Sequence, residues 1–244
     1  MTRQAFVEQI MGLPVSVHVR GPGADSPAAA NAVAGAFAEL RAMDAVFSPY
    51  RPDSRLNALN RGEPVDDPLV DAVLDLCEQA RQRTGGYFNA YLPEPGGGTR
   101  FDPSGLVKGW AVERAAEHLE GYAFYLNAGG DMTVRGSWRV GVEDPAQPDQ
   151  LLTTIEVVDG AVATSGTAHR GAHIVDPHTG APARGLRSVT IIGPSLTWAD
   201  VYATAAAAQG PQAVTWLATL PGYEALLVGD DGALLATPGW SLPA

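Results

Sequence analysis

The sequence is short of three things: cysteine, basic residues and long apolar runs. Its only cysteine is Cys77, which excludes an intramolecular disulfide framework and a cysteine-rich metal site. Cys77 lies in Leu74-Asp75-Leu76-Cys77, a helical pattern, and reads as a small core residue. The 16 lysines and arginines face 27 aspartates and glutamates, for a formal net charge of -11. The basic residues are scattered without a local patch, and so acidic a chain repels phosphate backbones, so nucleic acid is not expected as a partner. No stretch approaches the length that spans a bilayer, and Met1-Thr2-Arg3-Gln4-Ala5-Phe6 lacks the apolar run of a signal peptide. A cytoplasmic protein without a membrane anchor is the expectation.

What is present is ordinary globular material. Hydrophobic residues make up 45% of the 244 positions and charged residues 18%, enough for a real core and too apolar for disorder. The length suits one domain, read here as two intimately packed halves.

Val15, Val17 and Val19 alternate with Ser16, His18 and Arg20, so a half-buried strand is expected to open the fold. Ser26 caps a long helix whose apolar positions Val33, Phe37, Leu40, Met43 and Phe47 step by three and four. A second helix starts at Asp67-Pro68 and runs to Gly85-Gly86. Glycine and proline crowd Pro93 to Gly98, a loop, and Ser104 to Gly121 reads as a third helix. Strands are expected near 122–127, 132–143, 152–158, 161–165, 172–175 and 186–193. Tight turns are expected at Gly136-Ser137 and Asp159-Gly160. Helical pattern returns at 197–209 and 211–219, and a hairpin around Asp230-Asp231-Gly232 closes the chain between Tyr223 and Thr237. Helices and hairpins mix without regular βαβ alternation, which places the fold in the α+β class with a mixed antiparallel sheet.

Four clusters carry candidate chemistry. Asp102-Pro103-Ser104-Gly105-Leu106-Val107-Lys108-Gly109 leads into a helix, whose free N–H groups, dipole and lysine suit an anion. Taken alone, a plain capped helix with a surface lysine explains it better. Asn127-Ala128-Gly129-Gly130-Asp131 ends an apolar strand; paired glycines admit a ligand or simply make a turn. His173-Ile174-Val175-Asp176-Pro177-His178-Thr179-Gly180 follows Ala163-Thr164-Ser165-Gly166 and makes a good turn on structural grounds. His173 precedes that turn at a place where a general base could face a pocket. In Ala199-Asp200-Val201-Tyr202-Ala203-Thr204, Asp200 and Thr204 share a helix face. A carboxylate and a hydroxyl are hard ligands suited to magnesium. An N-terminal aspartate favoured by the helix dipole accounts for the pair equally well.

In order and separation these clusters resemble the signature set of the ApbE-type flavin transferases, the FAD:protein FMN transferases. Met11-Gly12, Phe47-Ser48-Pro49-Tyr50 and Ser54-Arg55-Leu56-Asn57 also fall where that family has similar segments, so the resemblance runs from about residue 11 to about residue 237. It implies a tunnelling-type architecture (T-fold) with FAD held between two halves. By resemblance, Asp102 and Lys108 contact FAD and His173-Ile174 lie along it. The same reasoning gives flavin contacts to Met11, Tyr50, Tyr87, Phe88 and Asn89. It gives them also to Asn127, Gly129 and Gly130, and to Thr164, Ser165 and Gly166. Magnesium would be held by the Asp200 carboxylate, the Thr204 hydroxyl and main-chain carbonyls at Gly105 and Ala203. The implied reaction moves FMN from FAD to a threonine or serine hydroxyl of an acceptor protein and releases AMP. His173 would be the base and Asp176 its partner. With water as nucleophile the same site is an FAD pyrophosphatase; without catalysis it is an FAD-binding or storage protein. A tunnelling-fold scaffold for a pterin-like or purine-like ligand leaves the Asp200/Thr204 pair unexplained. Three departures stand out: Leu13 where the family has threonine, Asn89 where it has aspartate, and a shortened stretch before Asp102.

Overall fold

The chain opens on a hairpin. β1 (Arg3–Ile10) and β2 (Leu13–Arg20) are joined by Met11-Gly12, both with positive φ of 56° and 70°, the mirror-image turn that matches strand twist. The computed structural model describes residues 2–94, 96–147, 149–166 and 174–240. The expectation that the sheet begins at β2 is corrected by β1. As an edge strand, β1 buries fully only Ile10, and it leaves apolar Val7 64% exposed while polar Glu8 is half-buried, so its residue types do not follow the inward-outward alternation of the strand.

α1 (Pro27–Phe47) follows the expected stripe, with Val33, Phe37, Leu40, Met43 and Phe47 buried and Ser26 Oγ accepting from the Ala29 N–H. α2 (Arg55–Asn60) is too short for its periodicity to show in the sequence. Ser54 caps it, and Asn57 Nδ2 donates back to the carbonyls of Pro49 at 3.0 Å and Arg51 at 2.8 Å. The two family-like segments at 47–50 and 54–57 are thus stapled to each other. α3 (Pro68–Arg83) starts at the expected Asp67-Pro68 cap and buries Cys77. The loop expected at 93–98 turns between two short strands, β3 (Tyr91–Pro93) and β4 (Thr99–Phe101).

α4 (Ser104–Glu117) leads to β5 (Ala123–Ala128), β6 (Asp131–Glu143), β7 (Leu151–Gly166) and β8 (Leu186–Gly193). Then come α5 (Leu196–Gln209), α6 (Ala213–Leu217), β9 (Glu224–Gly229) and β10 (Leu234–Ala236), the last two forming the expected closing hairpin. The main sheet has the order β1-β2-β5-β6-β7-β8-β9-β10, antiparallel at every pairing. Of the strand expected at 172–175, residues 172 and 173 lie outside the described residues, and Val175 makes an isolated bridge with Pro182.

Gly136 and Asp159 are not turns. β6 and β7 run straight past them, and the register shifts there between Val134 and Ser137. Gly136 has φ 80° and Asp159 has φ 45°, and Asp159 Oδ1 accepts the Gly136 N–H at 2.7 Å. Turn-forming residues here build a bulge, in which the extra residue bends and twists the ladder. One face of the sheet turns Val15, Val17, Leu126, Ala163 and Ile191 towards the helices. The other face carries a smaller apolar cluster around Val134, Trp138, Val140, Val157 and Val162.

Burial pushes the Cys77 thiol up to about 12. A thiol-specific colorimetric reagent at mildly alkaline pH should therefore leave native Cys77 unmodified and titrate it fully in denaturant. Because the folded value is raised, the stability from this group is present below its ordinary value of 9.0 and is lost as pH climbs towards about 12. Rapid labelling of the native protein would contradict the burial.

Candidate active site

α4 and α5 cross at a separation that glycine permits. Gly105, Gly109 and Glu113 recur every fourth residue on α4 and so share a face. A Cβ on Gly109 would lie 2.8 Å from the Leu196 carbonyl oxygen and 3.0 Å from Asp200 Cβ. A Cβ on Gly105 would lie 3.1 Å from Thr204 Oγ1. The closeness lets the Gly109 N–H donate to Asp200 Oδ2 at 3.2 Å. The stripe ends on Glu113, whose carboxylate accepts from Ser195 Oγ at 3.0 Å and from the Thr197 N–H at 3.1 Å. That places a negative charge at the α5 N-terminus, where the helix dipole favours it.

Ahead of α4, Asn60 locks the approach: its side chain donates to the Phe101 carbonyl at 2.9 Å and accepts the Phe101 N–H at 2.8 Å. Asp102 follows, accepting the Ser104 N–H at 3.1 Å and Arg100 Nη2 at 3.0 Å. One turn into the helix comes Lys108, the only lysine in the chain. It is no surface lysine. Its side chain is 18% exposed, and its Nζ contacts Asp131 Oδ2 and lies 3.9 Å from Asp200 Oδ1.

Asp131 is fully buried and accepts the Thr164 N–H at 3.0 Å through Oδ1. It is delivered by the Asn127–Asp131 segment, a two-residue turn in which Gly129 and Gly130 take φ of 62° and 97°. Asn127 Oδ1 closes the turn by accepting the Gly130 N–H at 3.0 Å.

These elements surround one cavity of about 370 Å³. Its lining unites the α4 approach and start (Tyr87, Phe88, Asn89, Asp102, Gly105 and Lys108) with Asn127, Gly129 and Gly130. Thr164, Ser165, Gly166 and Ile174 join from beside the sheet, and Asp200 and Thr204 from α5. Ser165 Oγ and Thr204 Oγ1 are 3.2 Å apart, and Thr164 Oγ1 and Thr190 Oγ1 are 3.0 Å apart.

Four expected site residues are not in the lining. Tyr50 is 91% exposed, Met11 sits in the first hairpin turn, and Ala203 is buried within α5. Asp176 uses its carboxylate in its own turn, accepting the His178 N–H and the Thr179 hydroxyl, each at 2.9 Å. His173 lies outside the described residues. Sequence reasoning missed the apolar wall of Met132, Val140, Val142 and Val162, and also Ser188 and Thr190. The strand alternation was visible there, but not which face would meet the cavity. His178, quoted in the third cluster, is not in the lining; its ring meets Tyr87 edge-on with centroids 4.5 Å apart.

The donor set between α4, α5 and the end of β7 is hard oxygen. Among the described residues no group of three or more His, Cys, Asp or Glu forms a metal cluster. A metal here would rest on the Asp200 carboxylate and the Thr204 hydroxyl, and would complete its shell with water or phosphate. Magnesium, which uses few protein ligands, fits that set.

A sequence model of the ApbE family matches residues 11–94 and 89–227. The chain belongs to the ApbE family. The FAD:protein FMN transferase of Escherichia coli K12 is 27% identical over 227 residues, 83% of this chain and 63% of that protein. The enzyme of that name from Rhodobacter capsulatus is 31% identical over 157 residues, 57% of this chain and 30% of that protein. The chain therefore spans less than two thirds of the length of these relatives. The ApbE protein of Thermotoga maritima superposes with a TM-score of 0.82 at 23% identity, with 97% of each chain covered. The flavin transferase ApbE of Vibrio cholerae gives 0.81 at 22% identity, again with 97% of each covered. The ApbE fold is thus shared along nearly the whole chain.

Two positions singled out in the sequence, Leu13 and Asn89, now have a place. Leu13 lies against the glycine turn: a Cβ on Gly129 would come within 3.0 Å of its Cδ1. Asn89 lines the cavity, and its Oδ1 accepts the Tyr91 N–H at 2.9 Å, a bond that an aspartate would also make.

The helix crossing is directly testable. Gly109→Ala forces a methyl against backbone, so it should destabilise the protein by about 1–3 kcal/mol as overpacked cores do. The measurement is the urea midpoint of unfolding. A midpoint equal to wild type would mean that the two helices can part without loss.

Proposed function

We propose that this chain transfers FMN from FAD to a threonine or serine hydroxyl of an acceptor protein, with magnesium held by Asp200, Thr204 and the main-chain carbonyls of Gly105 and Ala203. On the same resemblance we assign the tunnelling-type label to the fold and treat the chain as one transferase domain of two packed halves. The observation that carries the reading is the meeting of Lys108, Asp200 and Thr204 on the floor of one cavity.

In this reading the acceptor oxygen forms a bond to the FMN phosphorus as the bond from that phosphorus to the AMP oxygen breaks. The hydroxyl proton passes to a base, for which His173 is the candidate with Asp176 as its partner, and AMP leaves. Lys108 offers the phosphate oxygens a point charge from one turn into α4, whose Ser104 N–H is already taken by Asp102. The Ser165 and Thr204 hydroxyls orient the same group from the far side of the floor. Bound magnesium would neutralise pyrophosphate charge and align the phosphorus for in-line displacement. The apolar wall of β6 and β7 excludes water, which would otherwise compete with the acceptor.

Incubating the protein with FAD, magnesium and an acceptor carrying a threonine should give AMP and a flavin-labelled acceptor. Asp200→Ala should abolish this turnover, and Thr204→Val should weaken it less, because it removes only one neutral ligand. AMP formed without labelled acceptor would assign the site to FAD hydrolysis. FAD bound tightly with no AMP at all would make the chain a flavin carrier. Lys108→Ala should weaken FAD binding in proportion to dilution of salt, since the lost attraction is charge on charge. Riboflavin, which has no phosphate, should be indifferent to that substitution; equal losses for both ligands would remove Lys108 from the phosphate site.

A further inference from the structure

Lys108 stands between two buried carboxylates and does not divide itself evenly. Its Nζ is in direct contact with Asp131 and 3.9 Å from Asp200. Both carboxylates are held by backbone donors: Asp131 by the Thr164 N–H at 3.0 Å, Asp200 by the Gly109 N–H at 3.2 Å. The ammonium rides on a flexible four-carbon stem, so it is the movable partner of the three. In surroundings this dry, its attraction to either carboxylate is strong, and the nearer one decides where it rests. Asp131 is absent from the cavity lining while Lys108 and Asp200 both belong to it.

We propose that Asp131 is a positioning residue: by pinning the Lys108 ammonium it holds that charge 3.9 Å from Asp200, beyond hydrogen-bond distance, and reserves close approach to the Asp200 carboxylate for a divalent cation. This rests on the reading of Asp200 as the metal ligand given above. Without the Asp131 charge, Lys108 swings onto Asp200 and occupies, as a built-in cation, the place of the metal. The pinned ammonium also keeps a fixed direction into the cavity. Asp131 thereby serves the metal and the phosphate at once, and touches neither.

The test is a magnesium titration of the flavin-free full chain, read by calorimetry and by the rise in unfolding temperature. Wild type should bind the metal. Asp131→Asn should weaken it about 10- to 100-fold, the range typical when a residue supporting a metal ligand is lost. Adding Lys108→Met to Asp131→Asn should restore most of the affinity, because the competing ammonium is gone. A merely structural role for Asp131 predicts the opposite, with the double variant no better than the single. Wild-type affinity in Asp131→Asn would also overturn the proposal. If wild type binds no magnesium, the metal reading itself fails and the proposal falls with it, a result distinct from the first two.

Should Asp131→Asn not fold, nitrogen-15 lysine labelling of wild type gives a single side-chain signal, since Lys108 is the only lysine. That signal should exchange slowly with water and persist at saturating magnesium. Its loss to solvent exchange would show an ammonium that Asp131 does not hold.

Discussion

The site depends on how closely α4 approaches α5. Two glycines at a spacing of four bring the helix backbones together, and the neighbouring side chains inherit their positions from that contact. Asp200 receives a main-chain N–H from the opposite helix, Thr204 comes within reach of Ser165, and Glu113 ties the α5 N-terminus to α4. A bulkier residue at Gly105 or Gly109 would separate the charged groups before it touched any ligand. Packing and chemistry are therefore the same contact viewed from two directions.

α5 shows what this arrangement demands of a helix. From Leu196 to Ala208 nearly every residue is buried, so it has no solvent face on which to place its one carboxylate. A buried carboxylate is tolerable only when paired or hydrogen-bonded. Here a backbone N–H and a nearby ammonium share that task, and the ammonium is itself shared with Asp131. Lys108 and Asp200 meet in the cavity beside the apolar stretch of Met132, Val140, Val142 and Val162, and low-polarity surroundings strengthen electrostatic interactions.

Long elements with a clear period were legible in the sequence. α1 and α3 begin at their expected capping residues Ser26 and Asp67, α5 covers the expected 197–209, and β8 runs over the expected 186–193. What escaped did so for physical reasons. β1 is an edge strand whose side chains are mostly wet, and α2 is too short to repeat a period. Gly136 and Asp159 have the chemistry of turns, but local chemistry does not distinguish a turn from a bulge between paired strands. The site followed a similar rule. Lys108, Asp200 and Thr204 were legible as candidates from residue type, spacing and family likeness, whereas Asp131 was hidden because its partners come from distant α4 and β7. The apolar wall escaped for want of the sheet's curvature. Asp176 also accepts two hydrogen bonds within the turn that contains it, which residue type alone did not show.

The bulge has a consequence at the far end of its strand. Neighbouring residues of β7 point to opposite faces, so Thr164 reaches Thr190 across the sheet while Ser165 reaches Thr204 on α5. A one-residue slip of β7 would exchange the two hydroxyls and put every apolar residue of the strand on the wrong side. The Asp159 carboxylate, fastened to the Gly136 N–H, marks a single phase for the β6–β7 ladder. A surface aspartate five residues before Thr164 in this way selects which alcohol the helix meets.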